Sequence, residues 1–78
     1  MVYAFTAVDA ATGVARDVCE AARECEGVLE ASVISGEFDV MVELEGSDPH
    51  DILSTITGEI RPLDGVGTTR TYICLDDH

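Results

Sequence analysis

Residues 28–45 constrain the fold more than any other part of the chain, because their pattern is that of a β-hairpin. Two runs of strand-forming residues flank Ser35-Gly36-Glu37, and a connection this short forces the strands to pair antiparallel. Side chains alternate between faces along a strand, so the second run is predicted to have one apolar and one mixed face. The predicted apolar face contains Phe38, Val40, Val42 and Leu44, and the mixed face contains Asp39, Met41, Glu43 and Glu45.

The mouth of this turn is the first candidate for a functional site, because Asp39 follows Gly36 closely. A glycine in or beside a strand leaves space for a ligand or for a neighbouring backbone. A surface strand has no structural need for a Gly-x-Phe-Asp start. The alternatives are a glycine required only by the backbone of the turn, and a solvated acid at the start of a strand.

The chain has 78 residues, close to the lower size at which one hydrophobic core stabilises a domain. A domain of this size buries only about 60% of the surface of its unfolded chain and often needs a staple or a partner subunit. The three cysteines, Cys19, Cys25 and Cys74, form neither an even set nor a recognised ligand spacing. They are interpreted as buried, reduced thiols of a cytoplasmic protein, so oligomerisation is the expected source of further stability.

The charge balance is strongly acidic, with 16 acidic residues, four arginines, no lysine and a net charge of −12. Affinity for nucleic acid comes largely from cationic side chains, so direct nucleic-acid binding is not expected. The acids are spread along the whole chain, which favours adaptation to a high-salt cytoplasm over a surface that captures cations or a basic partner. No signal-peptide pattern is present, and no apolar stretch approaches the ~20 residues that span a bilayer.

The segment before the hairpin predicts one strand and one helix. Residues 2–8 are β-prone and are followed by a loop. Apolar side chains recur at helical spacing over residues 14–25, which predicts a helix. Thr12 is the predicted N-cap of this helix, and Gly27 is predicted to follow it in a left-handed conformation.

The segment after the hairpin predicts a second helix and a last strand. Ser47 or Asp48 is the predicted N-cap, and Pro62 is the predicted stop. The predicted buried stripe of this helix is Ile52, Leu53, Ile56 and Ile60. Residues 68–75 alternate in character and predict the strand, and the last three residues, Asp76, Asp77 and His78, predict a frayed tail.

The predicted order is βαββαβ, which is the ferredoxin-like α+β plan. Right-handed crossovers place both helices on one face of a four-stranded antiparallel sheet. The other face has no helix to cover it, so the domain is expected to bury it against a second copy as a dimeric α/β sandwich.

Three segments share their order and spacing with one known family. They are the Gly-x-aromatic-Asp hairpin at residues 34–45, the Gly27-Val28 pair before it, and residues 60–73, which combine a helix end, a Gly-Val turn and a Thr-x-Thr strand. These segments resemble the effector-binding domain of the leucine-responsive and asparagine-responsive regulators (Lrp/AsnC), called RAM for regulation of amino-acid metabolism. The resemblance covers essentially the whole chain, so residues 1–78 are interpreted as a single RAM-like domain.

The resemblance implies a function in sensing and assembly. It implies dimerisation through the sheets, assembly into octameric or decameric rings, and an amino-acid effector bound between subunits. Carried over by motif, the ligand-binding residues would be Gly36, Phe38, Asp39, Thr69 and Thr71. Because the chain begins at the first strand, it resembles the stand-alone type without a helix-turn-helix. The spread of acidic residues adds the expectation of a halophilic archaeon as its source. Any transcriptional role is then expected to pass through a full-length Lrp/AsnC partner.

Two other function classes remain open from the residues themselves. The first is a pure assembly module without a small ligand. The second is a small dimeric enzyme of the same fold, for which Asp39 is the only plausible titratable group. No nucleophile–base set, phosphate-binding loop, metal spacing or cofactor motif is recognisable, so no enzyme activity, cofactor or metal is predicted. Arg70 is expected in a surface ion pair.

Overall fold

The computed structural model describes residues 1–76, so two residues of the predicted tail, Asp77 and His78, lie outside the described part. These residues form four strands, two α-helices and one π-helical turn. In order these are β1 (Val2–Ala10), α1 (Ala15–Arg23), β2 (Val28–Val33), β3 (Val40–Gly46), α2 (Pro49–Thr55), the π-helical turn (Ile56–Ile60) and β4 (Val66–Ile73). No helix among these residues is long and apolar enough to span a bilayer.

The strands form one antiparallel sheet in the order β2-β3-β1-β4, so β2 and β4 are its edges. The ferredoxin-like prediction is confirmed, including the hairpin and the placement of both helices on one face. The alternation predicted for β3 is confirmed over the strand itself, because Val40, Val42 and Leu44 are fully buried while the intervening side chains are partly exposed.

The hydrophobic core lies between the helices and the sheet. Its buried members come from every element except β4, and they are Ala4, Val8, Val18, Cys19, Ala22, Ala31, Val40, Val42, Leu44, Ile52, Ile56 and Ile60. The inclusion of Leu53 in the buried stripe is wrong, because half of its surface is exposed. Ile52, Ile56 and Ile60 recur every four residues and occupy the face toward the sheet, so their neighbour Leu53 turns toward solvent.

The N-cap predicted for α1 is also wrong. The helix begins at Ala15 and its N-cap position is Val14, which makes no side-chain capping bond. Thr12 precedes Gly13, whose φ of +85° turns the chain away before the helix can start. Gly27 has the predicted positive φ, at +93°.

Helix α2 has a well-defined start, as the sequence indicates. The Asp48 side chain accepts a hydrogen bond from the Asp51 backbone N–H at 2.8 Å, and Pro49 occupies the first turn. The Asp51 carboxylate in turn accepts from the backbone N–H and the hydroxyl of Ser47, at 2.9 and 3.1 Å. Charged and polar groups therefore fix the entry from β3 into the helix.

The first prediction concerns the pH dependence of this cap. The backbone N–H of Ser47, and then its hydroxyl, lower the pKa of Asp51 below its usual 3.8. A lowered folded-state pKa contributes stability that is present above pH 3.8 and is lost as the pH falls through the folded value. Unfolding of the wild type and of Asp51→Asn should therefore differ at neutral pH and converge in acid, as denaturant titrations would show. A constant difference down to about pH 2 would contradict this account.

Candidate functional site

The hairpin connection is the most open part of the predicted site. β2 ends at Val33 and β3 begins at Val40, so Gly36 lies in a six-residue bend, residues 34–39, that is longer than the predicted turn. Gly36 is exposed, has a φ of +150°, and would meet no atom within 4 Å if it carried a Cβ. Its backbone is therefore accessible to a ligand or to another chain.

Asp39 ties this connection to β1. One oxygen of its carboxylate, Oδ2, accepts a hydrogen bond from the Ala10 backbone N–H at 2.8 Å. The Asp39 backbone N–H donates to the Val8 carbonyl at 2.9 Å. The pairing of β1 with β4 shifts register between Val8 and Ala10, and such a bulge leaves a backbone group outside the ladder. Asp39 therefore has a structural task, and among the described residues none donates to its second oxygen, Oδ1.

Phe38 does not belong to the apolar core, and its predicted place on the same face as Val40 is wrong. Its ring lies beneath the guanidinium of Arg70, which is 5.7 Å from the ring centroid. The alternation of β3 starts only at Val40, so it does not extend to Phe38 in the irregular connection. The expected surface ion pair of Arg70 is likewise replaced by a cation–π contact.

The two threonines of β4 lie beside β1 on the helix-facing side of the sheet. Thr69 is opposite Val8, and Thr71 is opposite Thr6. The hydroxyls of Thr71 and Thr6 are 3.0 Å apart, and the Thr6 hydroxyl also donates to the Arg70 carbonyl at 3.3 Å. Thr71 therefore pairs with the buried Thr6 hydroxyl. Thr69 lies opposite Val8, whose carbonyl accepts the hydrogen bond from the Asp39 backbone N–H.

The helix-free face of the sheet combines apolar and acidic side chains. Residues opposite each other on neighbouring strands project to the same face. One row across this face is Glu30, Glu43, Phe5 and Tyr72, and the next is Ser32, Met41, Ala7 and Arg70. Tyr72 is exposed, but Ala7 is only 4% exposed, although it is not part of the helix-side core.

The structure thus brings Phe38 to Arg70 and Asp39 to β1. Thr69 lies opposite Val8, beside the β1 bulge, whereas Thr71 lies opposite Thr6 in the middle of β1, and both threonines face the helices while Arg70 lies on the helix-free face. Whether the five predicted site residues bind a ligand stays a prediction. Sequence reasoning missed two participants, the Ala10 backbone N–H and the guanidinium of Arg70. A backbone donor at a bulge has no sequence signal. Arg70 had a sequence signal, since it lies between the two predicted threonines.

These features define a small ferredoxin-like α+β domain with an uncovered sheet face and a polar bulge at its rim. A sequence model described as "Lrp/AsnC ligand binding domain" matches residues 3–78. The chain therefore belongs to the Lrp/AsnC ligand-binding domain family.

Relatives at the sequence level are regulators and, over a shorter segment, an enzyme. An uncharacterised HTH-type transcriptional regulator of Pyrococcus abyssi is 30% identical over 61 residues, which are 78% of this chain and 41% of that protein. The chain thus spans less than half of this relative. A homocitrate synthase of Sulfurisphaera tokodaii is 41% identical over 49 residues, which are 63% of this chain and 10% of the enzyme.

Solved structures support the same fold. A hypothetical protein from Pyrococcus horikoshii is 35% identical with a TM-score of 0.88, and the match covers 100% of this chain and 94% of that one. A transcriptional regulator from Neisseria meningitidis, solved as a complex with L-Met, has a TM-score of 0.83 at 19% identity. That match covers 97% of this chain and 51% of the regulator, and it supports the fold alone.

Proposed function

We propose that this chain is a single RAM domain, residues 1–78, that senses an amino acid at an interface between its own subunits. The observation that carries the proposal is Asp39, whose carboxylate is anchored through Oδ2 to Ala10 while Oδ1 remains available to a ligand. The Lrp/AsnC family membership supports a ligand of this kind, and the Neisseria meningitidis relative was solved with L-methionine bound.

The chemistry of the bulge suits both ends of an amino acid. A carboxylate oxygen accepts a charge-assisted hydrogen bond from an α-ammonium group, and Asp39 Oδ1 supplies one. The backbone at Gly36 is open to solvent and supplies N–H donors for an α-carboxylate, with the Thr69 hydroxyl as a second donor. Thr71 holds Thr6 and acts by positioning β4, and Phe38 contributes the apolar wall next to Arg70.

The helix-free sheet face is the surface through which subunits associate in this proposal. Aromatic side chains and Met41 supply apolar area there, and a domain this small needs more buried surface than its own core provides. Glu30 and Glu43 lie directly opposite each other on neighbouring strands, and like charges so placed repel. Salt that screens this repulsion should favour association, in keeping with a halophilic cytoplasm.

The output of the domain is proposed to pass through a partner. Rings of eight or ten subunits, or mixed assemblies with a full-length Lrp/AsnC regulator, would convert ligand occupancy into a change of assembly. The strongly acidic chain supplies few cations for direct nucleic-acid binding. The chain is proposed to be neither a membrane protein nor an enzyme, and to act in the cytoplasm without a cofactor or metal.

The second prediction tests ligand binding directly. A thermal-shift screen of the twenty amino acids in molar potassium chloride should give a selective rise in Tm. Ligand at about a hundred times its Kd adds about 2.7 kcal/mol to the free energy of unfolding. In a domain of this size, each kcal/mol raises Tm by roughly 4–8 °C. A flat screen with a folded oligomer would overturn sensing and favour the pure assembly module.

The third prediction separates the two tasks of Asp39. Asp39→Asn keeps a carbonyl oxygen that can accept from the Ala10 N–H but removes the charge, so the fold should persist while ligand affinity falls about tenfold or more. Asp39→Ala removes both the charge and the oxygen that accepts from the Ala10 N–H, so it should also lower the free energy of unfolding by about 1–3 kcal/mol. Calorimetric titration with the amino acid from the screen, alongside denaturant unfolding, measures both quantities. Unchanged affinity in Asp39→Asn would rule out the ammonium contact.

A further inference from the structure

We propose a second ligand site, for a small oxyanion such as a carboxylate or a phosphate group, in the groove between α1 and the edge strand β2. The groove has a volume of about 390 Å³ and is lined by Arg16, Cys19, Glu20, Arg23, Ser32 and Val33. It shares no residue with the proposed amino-acid site, so it does not depend on that proposal.

The groove concentrates the scarce positive charge of the chain. Arg16 and Arg23 are two of only four cationic side chains, set against 16 acids. Within residues 1–76, neither arginine forms an ion pair with an acid of the chain. Two unpaired guanidiniums in one groove of so acidic a chain are left to attract an anion from solution.

Arg23 is held in place for such a contact. Its Nε and Nη2 atoms donate to the Ala31 carbonyl of β2, at 3.1 and 2.9 Å. The remaining N–H groups of this planar side chain stay free to bind an oxyanion, and guanidinium recognises carboxylate and phosphate by paired hydrogen bonds. Because the side chain is already fixed, less rotamer entropy is lost when a ligand binds.

The edge of β2 adds neutral donors to the two arginines. The Ile34 N–H donates to the Asp39 carbonyl, which orients Ile34 toward the hairpin. Backbone groups of neighbouring residues alternate in direction along a strand, so the Val33 N–H faces outward, as the Ala31 carbonyl does. The Ser32 hydroxyl also lines the groove. An anion in the groove therefore has charged donors from α1 and neutral donors from β2.

The ligand must be small and compact. A polyanion or an acidic protein surface would be repelled by the net charge of −12, whereas a small anion interacts mainly with the nearby groups. Glu20 is the one acidic lining residue, and it lies between Arg16 and Arg23 on α1, so it weakens the attraction of the groove for an anion. A dicarboxylate that spans both guanidiniums and a single phosphate are the two chemical sources to distinguish.

The test is an NMR titration of the arginine Nε–H signals with succinate and, separately, inorganic phosphate, at the lowest chloride concentration that keeps the protein folded. Saturable shifts of Arg23 are expected, and the tighter probe identifies the preferred oxyanion. Arg16→Gln, an exposed helix substitution that leaves the fold intact, should weaken binding about tenfold. Glu20→Gln should tighten it.

Arg61→Gln is the matched control, because it removes the same charge from an exposed position after the π-helical turn and outside the groove. It should leave the affinity unchanged. Shifts that never saturate with either probe, or equal weakening by Arg16→Gln and Arg61→Gln, would show that the groove attracts anions only through the general charge and would overturn the proposal.

Discussion

Replacing Gly65 by alanine is expected to lower the free energy of unfolding by about 2–5 kcal/mol, among the largest effects of any single methyl group in this chain. Gly65 has a φ of +91°, and an added Cβ would lie 2.6 Å from Val14 Cγ2. Its carbonyl accepts from the Ala11 N–H at 2.8 Å, so the residue also joins the turn before β4 to the loop before α1. Strain and overpacking therefore coincide at one position.

Gly58→Ala provides the control for this prediction. Gly58 lies in the π-helical turn, and a Cβ there would meet no atom within 4 Å. Alanine in a helical position is about 0.5–1 kcal/mol more favourable than glycine, so this variant should be as stable as the wild type or more stable. Urea unfolding of both variants gives the comparison, and equal destabilisation by the two would contradict the packing argument at Gly65.

The second large effect is expected from Phe5→Glu, which should convert the proposed oligomer into a folded monomer. Phe5 projects from the helix-free face between Glu43 and Tyr72. The substitution therefore adds a third acid to the row that already contains Glu30 and Glu43. Burying an unpaired charge in an interface costs several kcal/mol, whereas an exposed glutamate on a free sheet face costs the monomer little. Light scattering measures the mass, and circular dichroism checks the fold.

Leu53→Glu is the matched variant on the opposite side of the molecule. Leu53 is half-exposed on α2, so it undergoes the same apolar-to-acidic change away from the sheet face. The mass of this variant should equal that of the wild type. Dissociation of both variants, or of neither, would show that the sheet face is not the subunit interface.

The fold followed from the sequence because its strongest signals are local and redundant. Alternation in β3 and the Pro49 start of α2 each indicate an element without tertiary information. Leu53 was wrongly placed within a correctly predicted helix, and two further errors fall at element ends. Thr12 is an acceptable cap residue, but it lies two residues before the actual N-cap position. Phe38 fits the alternation of β3 in sequence, but it precedes the first residue of the strand. Both depend on the path of a loop, which side-chain pattern alone does not specify.

The candidate site was only partly predictable for the same reason. The sequence indicates Asp39 as an unusual acid, but the Ala10 N–H that engages its carboxylate results from a register shift between β1 and β4. The oxyanion groove was not predicted at all. Arg16 and Arg23 lie seven residues apart on one helix, which is a common surface spacing. The groove forms because the edge strand β2 packs beside α1 and supplies its second wall, and this tertiary contact has no sequence signal.

The most direct test of the central claim is to repeat the amino-acid thermal-shift screen on Phe5→Glu beside the wild type. The account predicts a selective shift for the wild type and none for the folded monomer, because in the proposed site Asp39 and the Gly36 backbone bind the effector only together with a neighbouring subunit. An equal, equally selective shift in the monomer would contradict a site between subunits and place effector binding within a single chain.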